Sequence, residues 1–598
     1  MIWQPGPGAA AGSSDPVAVP ARPGAVTGAI DGDLGNPEGE FGSVAAPGTT
    51  SRRARGIGQA ALLIGGLTIV ARVLGFVRTV VFAGTVKTSC LSAAYVTANQ
   101  VPNVVSDIVL GGALTAIVVP ILAGPAERAA SGADQAAKTD TDRISSALLT
   151  WTIVILVPVS LVLALAAGPV ISLLMPASRS VATDFGVTAA CARSSLVPIA
   201  SQMLVAFAPQ ILLYGLAVVL YGILQSHRKF TAPALAPILS SFVVIGAYLL
   251  FVPLGGQYTR HVGGLPRAAE LTLSLGTTAG VAALVLTALV PAWRLRLRWR
   301  PALRFPAGVA RRATGLAGVG IAALVGQDAS VLVVTRLANA YSGRNGAAVT
   351  VYSYGWQVFV SVYAVLAIPV AISAFPVLSA RQGAPFDDAA AAATRATALA
   401  SWLGAALLAA VALPVARAFP SLNHAVTGQF ALALVAFAPG LVGYGLVACL
   451  SRVLLADGRN RVAALATLGG WLVVIVADVV VIPQVAAHSV VPALGLINTV
   501  GMTVSGIALL IAVGRARGIS ALRGAWRAIG AGLAGAVAGA TAGLTVTRLV
   551  PVSEHWQNAC IALLAGGSAL AAFVTVVALL DGGDLRSVLA RVRRREVA

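Results

Sequence analysis

About fourteen apolar runs, each close to 20 residues or longer, lie between residues 57 and 580, and they constrain this chain more than any other feature. A bilayer core about 30 Å thick is crossed by roughly 20 helical residues. No water reaches the backbone there, so each segment has to satisfy its own N–H and C=O groups, which a helix does. Composition agrees: 58% of residues are hydrophobic, 10% are charged and the mean hydropathy is +0.87, whereas a soluble domain carries about 25% charged residues. A soluble enzyme and a disordered chain are both excluded. The expected fold is an all-α polytopic membrane protein of about 14 transmembrane helices.

The charges orient it. Lys and Arg total 41 against 21 Asp and Glu, a net charge of +20. Of the 41, 28 fall on the side holding both termini and 7 on the other, the rest lying inside spans. Cytoplasmic loops carry the excess of Lys and Arg, so both termini are expected in the cytoplasm, with the chain multi-pass in the cytoplasmic membrane. Topology then accounts for the net charge, and no nucleic-acid partner is needed. The densest basic stretch holds Arg294, Arg296, Arg298, Arg300, Arg304, Arg311 and Arg312, interleaved with Trp293, Leu295, Leu297 and Trp299. Residues 293–312 read as an interfacial linker on anionic lipid, or as a dock for a cytoplasmic or envelope-synthesis partner.

An internal repeat divides the chain. LVAFAPQILLYGLAVVLYGILQ from Leu204 aligns with LVAFAPGLVGYGLVACLSRVLL from Leu434, and the match runs without gaps to Phe242 and Leu472, an offset of 230 residues. The duplicated unit is therefore six helices. An even number keeps both copies in one orientation, related by an axis along the membrane normal, and transporters of this design bind substrate between the copies. The expected organisation is a disordered tail 1–56 rich in Gly, Pro, Ala and Ser, an N-lobe 57–292, a basic linker 293–308, a C-lobe 309–513, two further helices 514–580 and a basic tail 581–598.

Ionisable residues deep in a span are costly, and they line cavities or pair. Arg72 lies ~15 Å from the outer end of span one, Arg78 nearer that end, and Asp107 ~22 Å into span two. Arg72 and Asp107 are expected to pair, to wall a substrate cavity with Arg78, or both. Asp328 in span seven, Asp478 in span eleven and Asn498 in span twelve sit at comparable depth, ~24 Å above the cytoplasmic edge for the two carboxylates. At one level they would bind a coupling Na⁺ through oxygen ligands or share a proton, or hydrogen-bond to neighbouring helices. Cys90, Cys191, Cys449 and Cys560 are far apart and read as small apolar residues; with five scattered His they form no metal-ligand pattern. No cofactor is expected beyond the coupling ion, and no enzyme.

Several segments together resemble the MviN/MurJ family of lipid II flippases in the multidrug/oligosaccharidyl-lipid/polysaccharide exporter superfamily. They are ARVLGFVRTVV at 71–81, VPNVVSDIVLGGALTAIVVPILA at 101–123, GILQSHRKFTAPALAPIL at 222–239, RLRLRWRP at 294–301, YSYGWQVFVSVYAVLAIPVAISAFPVLS at 352–379 and LSRVLLADGRNRVAA at 450–464. The resemblance runs in order from about 57 to 580. It implies fourteen helices and transport of lipid II, a peptidoglycan precursor on undecaprenyl pyrophosphate, with the pyrophosphate in a cationic central cavity and the lipid tail in a groove by the last two helices. Arg72 and Arg78 match the family's two first-helix arginines. The chain departs from the pattern at Thr79, Ala93 and Gly111, where the family has acids, at Ser106 and Asp107, where it has an arginine pair, and at Gln357, where many members have an arginine. The implied cavity has lost positive charge and gained a carboxylate. The resemblance implies a flippase for lipid II or a related undecaprenyl-linked saccharide; the alternatives are a cation-coupled drug or small-molecule exporter and a transport-inactive scaffold for cell-envelope synthesis.

Overall fold

The computed structural model describes residues 49–108, 135–177, 193–227, 229–259, 262–295, 300–303, 309–342, 347–420, 422, 424–549 and 555–581. Outside these lie residues 1–48 of the expected tail, 109–122 of the second span, Arg296, Arg298 and Arg304 of the linker, and the basic tail from 582; the side chains of Arg311 and Arg312 are likewise not described. The chain divides into Met1–Gln59 and Ala60–Ala598. The first unit contributes only the start of a helix to the described residues; the second holds all the rest.

The N-lobe holds α1 (Thr49–Thr85), α2 (Cys90–Ser106), α3 (Gln135–Leu165), α4 (Ala167–Leu174), α5 (Arg193–Phe207), α6 (Gln210–Ser226), α7 (Thr231–Gly255) and α8 (Arg267–Trp293). The C-lobe holds α9 (Val309–Ala340), α10 (Ala348–Ser379), α11 (Ala384–Ala410), α12 (Ala412–Arg417), α13 (His424–Phe437), α14 (Gly440–Ala456), α15 (Asn460–Val481) and α16 (Val490–Arg517), and α17 (Ala525–Leu549) and α18 (His555–Leu580) come after it. No strand occurs among the described residues. Among the described residues, twelve segments are long and apolar enough to cross a membrane. The other two of the fourteen expected spans, 91–122 and 309–338, run partly through residues or side chains outside the described set.

The duplication is visible in where helices break and where they touch. One expected span is the pair α5 and α6, interrupted at Ala208–Pro209; its counterpart is α13 and α14, interrupted at Ala438–Pro439. Proline lacks an N–H, so it cannot continue the helical ladder. A threonine on the neighbouring helix donates to a carbonyl at each break: Thr278 Oγ1 to Ala206 O at 2.8 Å, and Thr499 Oγ1 to Ala436 O at 2.7 Å. The next helix pairs repeat as well. Gly280 of α8 lies against Val244 of α7 with the Ser240 carbonyl 3.3 Å from where a Cβ would stand. Gly501 of α16 lies against Val474 of α15, with the Gly470 carbonyl at 2.8 Å. Val244 and Val474, like Ser240 and Gly470, are 230 positions apart. A Cβ at either glycine would run into the facing valine methyl, and at Gly501 it would also press on the facing backbone carbonyl.

α17 packs between α11 and α18. Its face Gly532, Gly535, Gly539 and Gly543 receives Trp402, Phe573, Ala569 and Ala410. At the other end of the C-lobe sequence, Arg517 of α16 joins Asp387 of α11 at 2.9 Å and Asp457 in the α14–α15 turn at 3.4 Å, and lies over the Phe386 ring. The start of the inter-lobe linker belongs to the N-lobe: Arg300 N donates to Ser146 Oγ, Ala302 N to Thr150 Oγ1, and Trp151 Nε1 to Leu303 O, at 3.1–3.2 Å.

One cysteine departs from the expectation of four small apolar residues. Cys90, at the first turn of α2, is disulfide-bonded, whereas Cys449 and Cys560 are free. Distance in sequence conceals a pairing that the fold brings about.

Candidate functional site

The lobes meet where α2 begins and α9 ends. Ser92 Oγ and Thr350 Oγ1 are 3.0 Å apart, and Asn339 Nδ2 of α9 donates to Thr97 Oγ1 and to the Leu174 carbonyl at 2.9 and 3.0 Å. Arg336, one turn before Asn339, donates to the Leu173 carbonyl. Aromatic contacts add to the joint: Phe82 and Phe419 both pack on Tyr354, and Phe76 packs edge-on against Phe419.

Beside this joint is a cavity of about 160 Å³ with walls from both lobes. α1 supplies Arg78, Thr79 and Phe82; α2 supplies Tyr95, Val96, Asn99 and Gln100; α7 supplies Tyr248; α10 supplies Ser353, Tyr354 and Gln357. Arg78 and Gln357 thus share one cavity. Arg72 is exposed on α1 among exposed Ile69, Val70 and Val73. Asp107, in the helical turn that ends α2, is also exposed. No ion pair joins Arg72 and Asp107. Asp107 is instead within electrostatic range of Asp328 and of Tyr214, which Arg78 also reaches. Arg72 and Asp107 are placed at similar depth by the sequence alone, but the stretch of α1 around Arg72 is exposed and Asp107 is not among its partners.

Two polar junctions lie deeper in the lobes. In the N-lobe, Tyr95, Tyr248 and Thr277 form a closed chain. Thr277 Oγ1 donates to the Leu273 carbonyl at 2.7 Å, so Tyr95 is the donor to Thr277 at 2.6 Å and accepts from Tyr248 at 2.9 Å. In the C-lobe, Asp478 takes the position of Tyr248, 230 residues on, and Asn498 precedes Thr499 as Thr277 precedes Thr278. Tyr352 lies in range of Asp478, and Tyr444 beside Asn498. Asp478 is 0% exposed, and both its carboxylate oxygens are buried without a hydrogen-bond partner; so are one oxygen of Asp328 and the Asn498 side-chain oxygen. Asp328, Asp478 and Asn498 share no hydrogen bond with one another. Asp328 stands two residues beyond Gly326, which packs on Trp471, and Asp478 stands seven beyond Trp471 on α15. The carboxylates are therefore offset along the helix pair by about a turn or more. Among the described residues no group of three His, Cys, Asp or Glu could hold a metal ion. Buried orphaned oxygens nevertheless suit a single cation or proton, because a buried charge without a partner is expensive.

Sequence reasoning missed Tyr95, Tyr248, Thr277, Asn99 and Gln100. Tyrosine and threonine in apolar runs read as core. Carrying the repeat six residues past Phe242 and Leu472 would have set Tyr248 against Asp478.

The fold is shared with a solved structure of a multidrug resistance MATE family transporter in an inward-facing conformation, which superposes with a TM-score of 0.57 at 15% identity, covering 75% of this chain and 98% of that one. A solved structure of a lipid II flippase MurJ in an inward closed conformation superposes with a TM-score of 0.63 at 16% identity, covering 86% and 99%. A model of the family described as lipid II flippase MurJ matches residues 82–555, and this chain belongs to that family. The lipid II flippase MurJ of Burkholderia cenocepacia is 26% identical over 195 residues, 33% of this chain and 34% of the relative; the Synechocystis relative of similar name is 27% identical over 260 residues, 42% and 44%. The matched stretch thus spans from a third to under half of these relatives' length.

Proposed function

We propose that the chain is a flippase that moves an undecaprenyl-linked saccharide, lipid II or a related glycan, across the cytoplasmic membrane by alternating access between its lobes. The observation that carries this is the cavity between the lobes, with Arg78 reaching in from α1 and Gln357 from α10. A guanidinium there meets a phosphate with a forked pair of hydrogen bonds, and walls drawn from both lobes let their relative motion open the site to either side. Family membership supports the same reading. Both termini are cytoplasmic in it, which leaves the disulfide-bonded Cys90 on the oxidising outer side. Asp478 and Asp328 carry the coupling Na⁺ or proton, a reading supported by both Asp478 oxygens and one Asp328 oxygen being buried without a protein partner. The basic linker rests on anionic lipid, with Arg300 to Leu303 held against α3.

The test is complementation of a strain depleted of its own lipid II flippase. Growth restored by the wild-type chain and by Lys87→Ala, and lost in Arg78→Ala at equal membrane abundance, is the expected result. Lys87 occupies the exposed outer turn after α1, away from the cavity. Failure of the abundant wild-type protein to restore growth would turn the reading toward a cation exporter, for which Asp107 beside Asp328 is the attraction, or toward a scaffold without transport.

A further inference from the structure

We infer that Asp107 and Asp328 form a divalent-cation site between the lobes, at which a Mg²⁺ ion ties the diphosphate of the substrate headgroup to the protein. The inference rests on the flippase reading and adds a metal to it. Asp328 thereby gains a role toward the N-lobe beside its coupling role with Asp478.

The two carboxylates come from opposite lobes and reach one level. The hydrogen bond from Asn339 to Thr97 fixes the register of α9 against α2. Asp107 is ten residues past Thr97, about 15 Å along α2, and Asp328 is eleven residues before Asn339, about 16 Å along α9 in the same direction. Facing agrees with depth. Eleven helical residues bring a side chain back to within about 20° of its starting face. Asp328 therefore shares the face of α9 that Asn339 turns to the N-lobe. Asp107 stands eleven residues after Val96, whose face of α2 lines the cavity together with Gln100. The charges feel one another accordingly: Asp107 is within electrostatic range of Asp328, and Tyr214 is within range of both Asp107 and Arg78.

An independent observation calls for a ligand here. Asp328 is 1% exposed, and one of its carboxylate oxygens is buried with no hydrogen-bond partner. A buried charge without a partner is expensive, and a second carboxylate facing it from the other lobe raises that cost. A cation between the two removes both penalties. Asp107 is exposed at the end of α2, so the ion can arrive from water already bound to its phosphates.

Mg²⁺ suits the geometry because proteins hold it with one or two carboxylates, substrate phosphates and retained waters rather than with a closed cage. Asp107 and Asp328 supply the carboxylates, and the substrate completes the set. Two bare carboxylates would repel a diphosphate; the metal offsets their charge and turns both into ligands. Arg78 then forks onto the phosphate on the cavity side. Gln100 of the cavity wall precedes Asp107 by seven residues, about 10 Å, a gap that an extended arginine and a diphosphate bridge together. Because the ligands belong to different lobes, separating α2 from α9 pulls one carboxylate off the metal and loosens the headgroup.

The experiment measures binding of a short-chain polyprenyl diphosphate carrying an N-acetylated hexose to the full chain in zwitterionic nanodiscs. Sodium is held constant, and the medium contains either magnesium chloride or EDTA. The wild-type protein is expected to bind about tenfold more tightly or better with Mg²⁺. Asp107→Asn should bind alike in both media, and Asp328→Asn should do the same and serves if the first variant folds poorly by thermal unfolding. Asp107→Arg, which sets a fixed cation near the metal position, should bind the diphosphate in EDTA more tightly than the wild type does. Equal affinity of the wild type in the two media overturns the inference; if that binding is lost in Arg78→Ala, the flippase reading stands. A full Mg²⁺ gain retained in both folded asparagine variants also overturns it, because the metal then rides on the lipid alone. Binding in neither medium by folded wild-type protein overturns the flippase reading and the inference together.

Discussion

The same junction is built twice in this molecule and finished differently. In the N-lobe, Tyr248, Tyr95 and Thr277 hand hydrogen bonds along a chain that ends on the Leu273 carbonyl. In the C-lobe, the equivalent positions hold Asp478, Tyr352 and Asn498, and both oxygens of Asp478 are left bare. The backbone frames agree down to the threonine that stitches each proline break and the glycine that lets each helix pair close. The difference thus lies in the side chains at one node. A hydroxyl can both give and accept, so the three pass their hydrogen bonds along to a carbonyl; an ionised carboxylate only accepts, and no protein donor reaches Asp478. Duplication supplied the scaffold twice, and two differences of residue type, Tyr248 against Asp478 and Thr277 against Asn498, close the hydrogen bonds of one copy and leave the carboxylate of the other without a protein donor.

The largest expected effect separates the two nodes directly. A ligand that binds only the folded form stabilises it by about 2.7 kcal/mol at a hundredfold excess over Kd. Heating the purified protein in NaCl and in KCl at constant ionic strength, across several pH values, should reveal such a gain. Asp478→Asn should abolish it and Tyr248→Phe should keep it. Sodium-specific stabilisation identifies the ion, and a pH-dependent shift without sodium specificity identifies the proton. Equal responses in both variants, or none in the wild type, would break the comparison. Next in size are the closing glycines. Overfilling a packed contact costs about 1–3 kcal/mol, and Gly501→Ala should lie above Gly280→Ala because its new Cβ would meet a backbone carbonyl at 2.8 Å rather than 3.3 Å. Thermal unfolding of the two variants measures this, and a reversed order would mean that the C-lobe pair yields more easily than its twin. Smallest is the loss of one link in the hydroxyl chain. Tyr248→Phe should lower stability by about 1 kcal/mol, while Tyr352→Phe, whose hydroxyl belongs to no such chain, should cost less in the same assay.

Much of the fold is readable in the sequence, because apolar length and an even-numbered repeat are one-dimensional properties. The offset of 230 residues even carries the break at Pro209 over to Pro439. The site is legible only in part. Arg78 and Gln357 do share a cavity, but Arg72 and Asp107 do not meet: distance along a span gives depth and says nothing about which way a side chain faces. Asp328 and Asp478 are expected at one level for the same reason, and their offset comes from how α9 seats on α15 around Gly326. Tyr95 and Thr277 are invisible because a tyrosine or threonine in a hydrophobic run has no distinctive spacing, and its hydrogen-bond partner lies more than 150 residues away.

The glycine face of α17 has a mechanical consequence. A Cβ on Gly539 would stand 2.8 Å from the Ala569 carbonyl, and one on Gly543 would stand 3.0 Å from that of Ala565. The helices touch through bare backbone at those points, so sliding α17 by a single residue would drive an alanine or leucine side chain into a carbonyl. The seam therefore works as a keyway: it resists axial slip far better than a greasy contact of leucines, which can trade partners. A displacement of the α17–α18 pair along its axis is therefore carried to α11, on which the same glycine face closes.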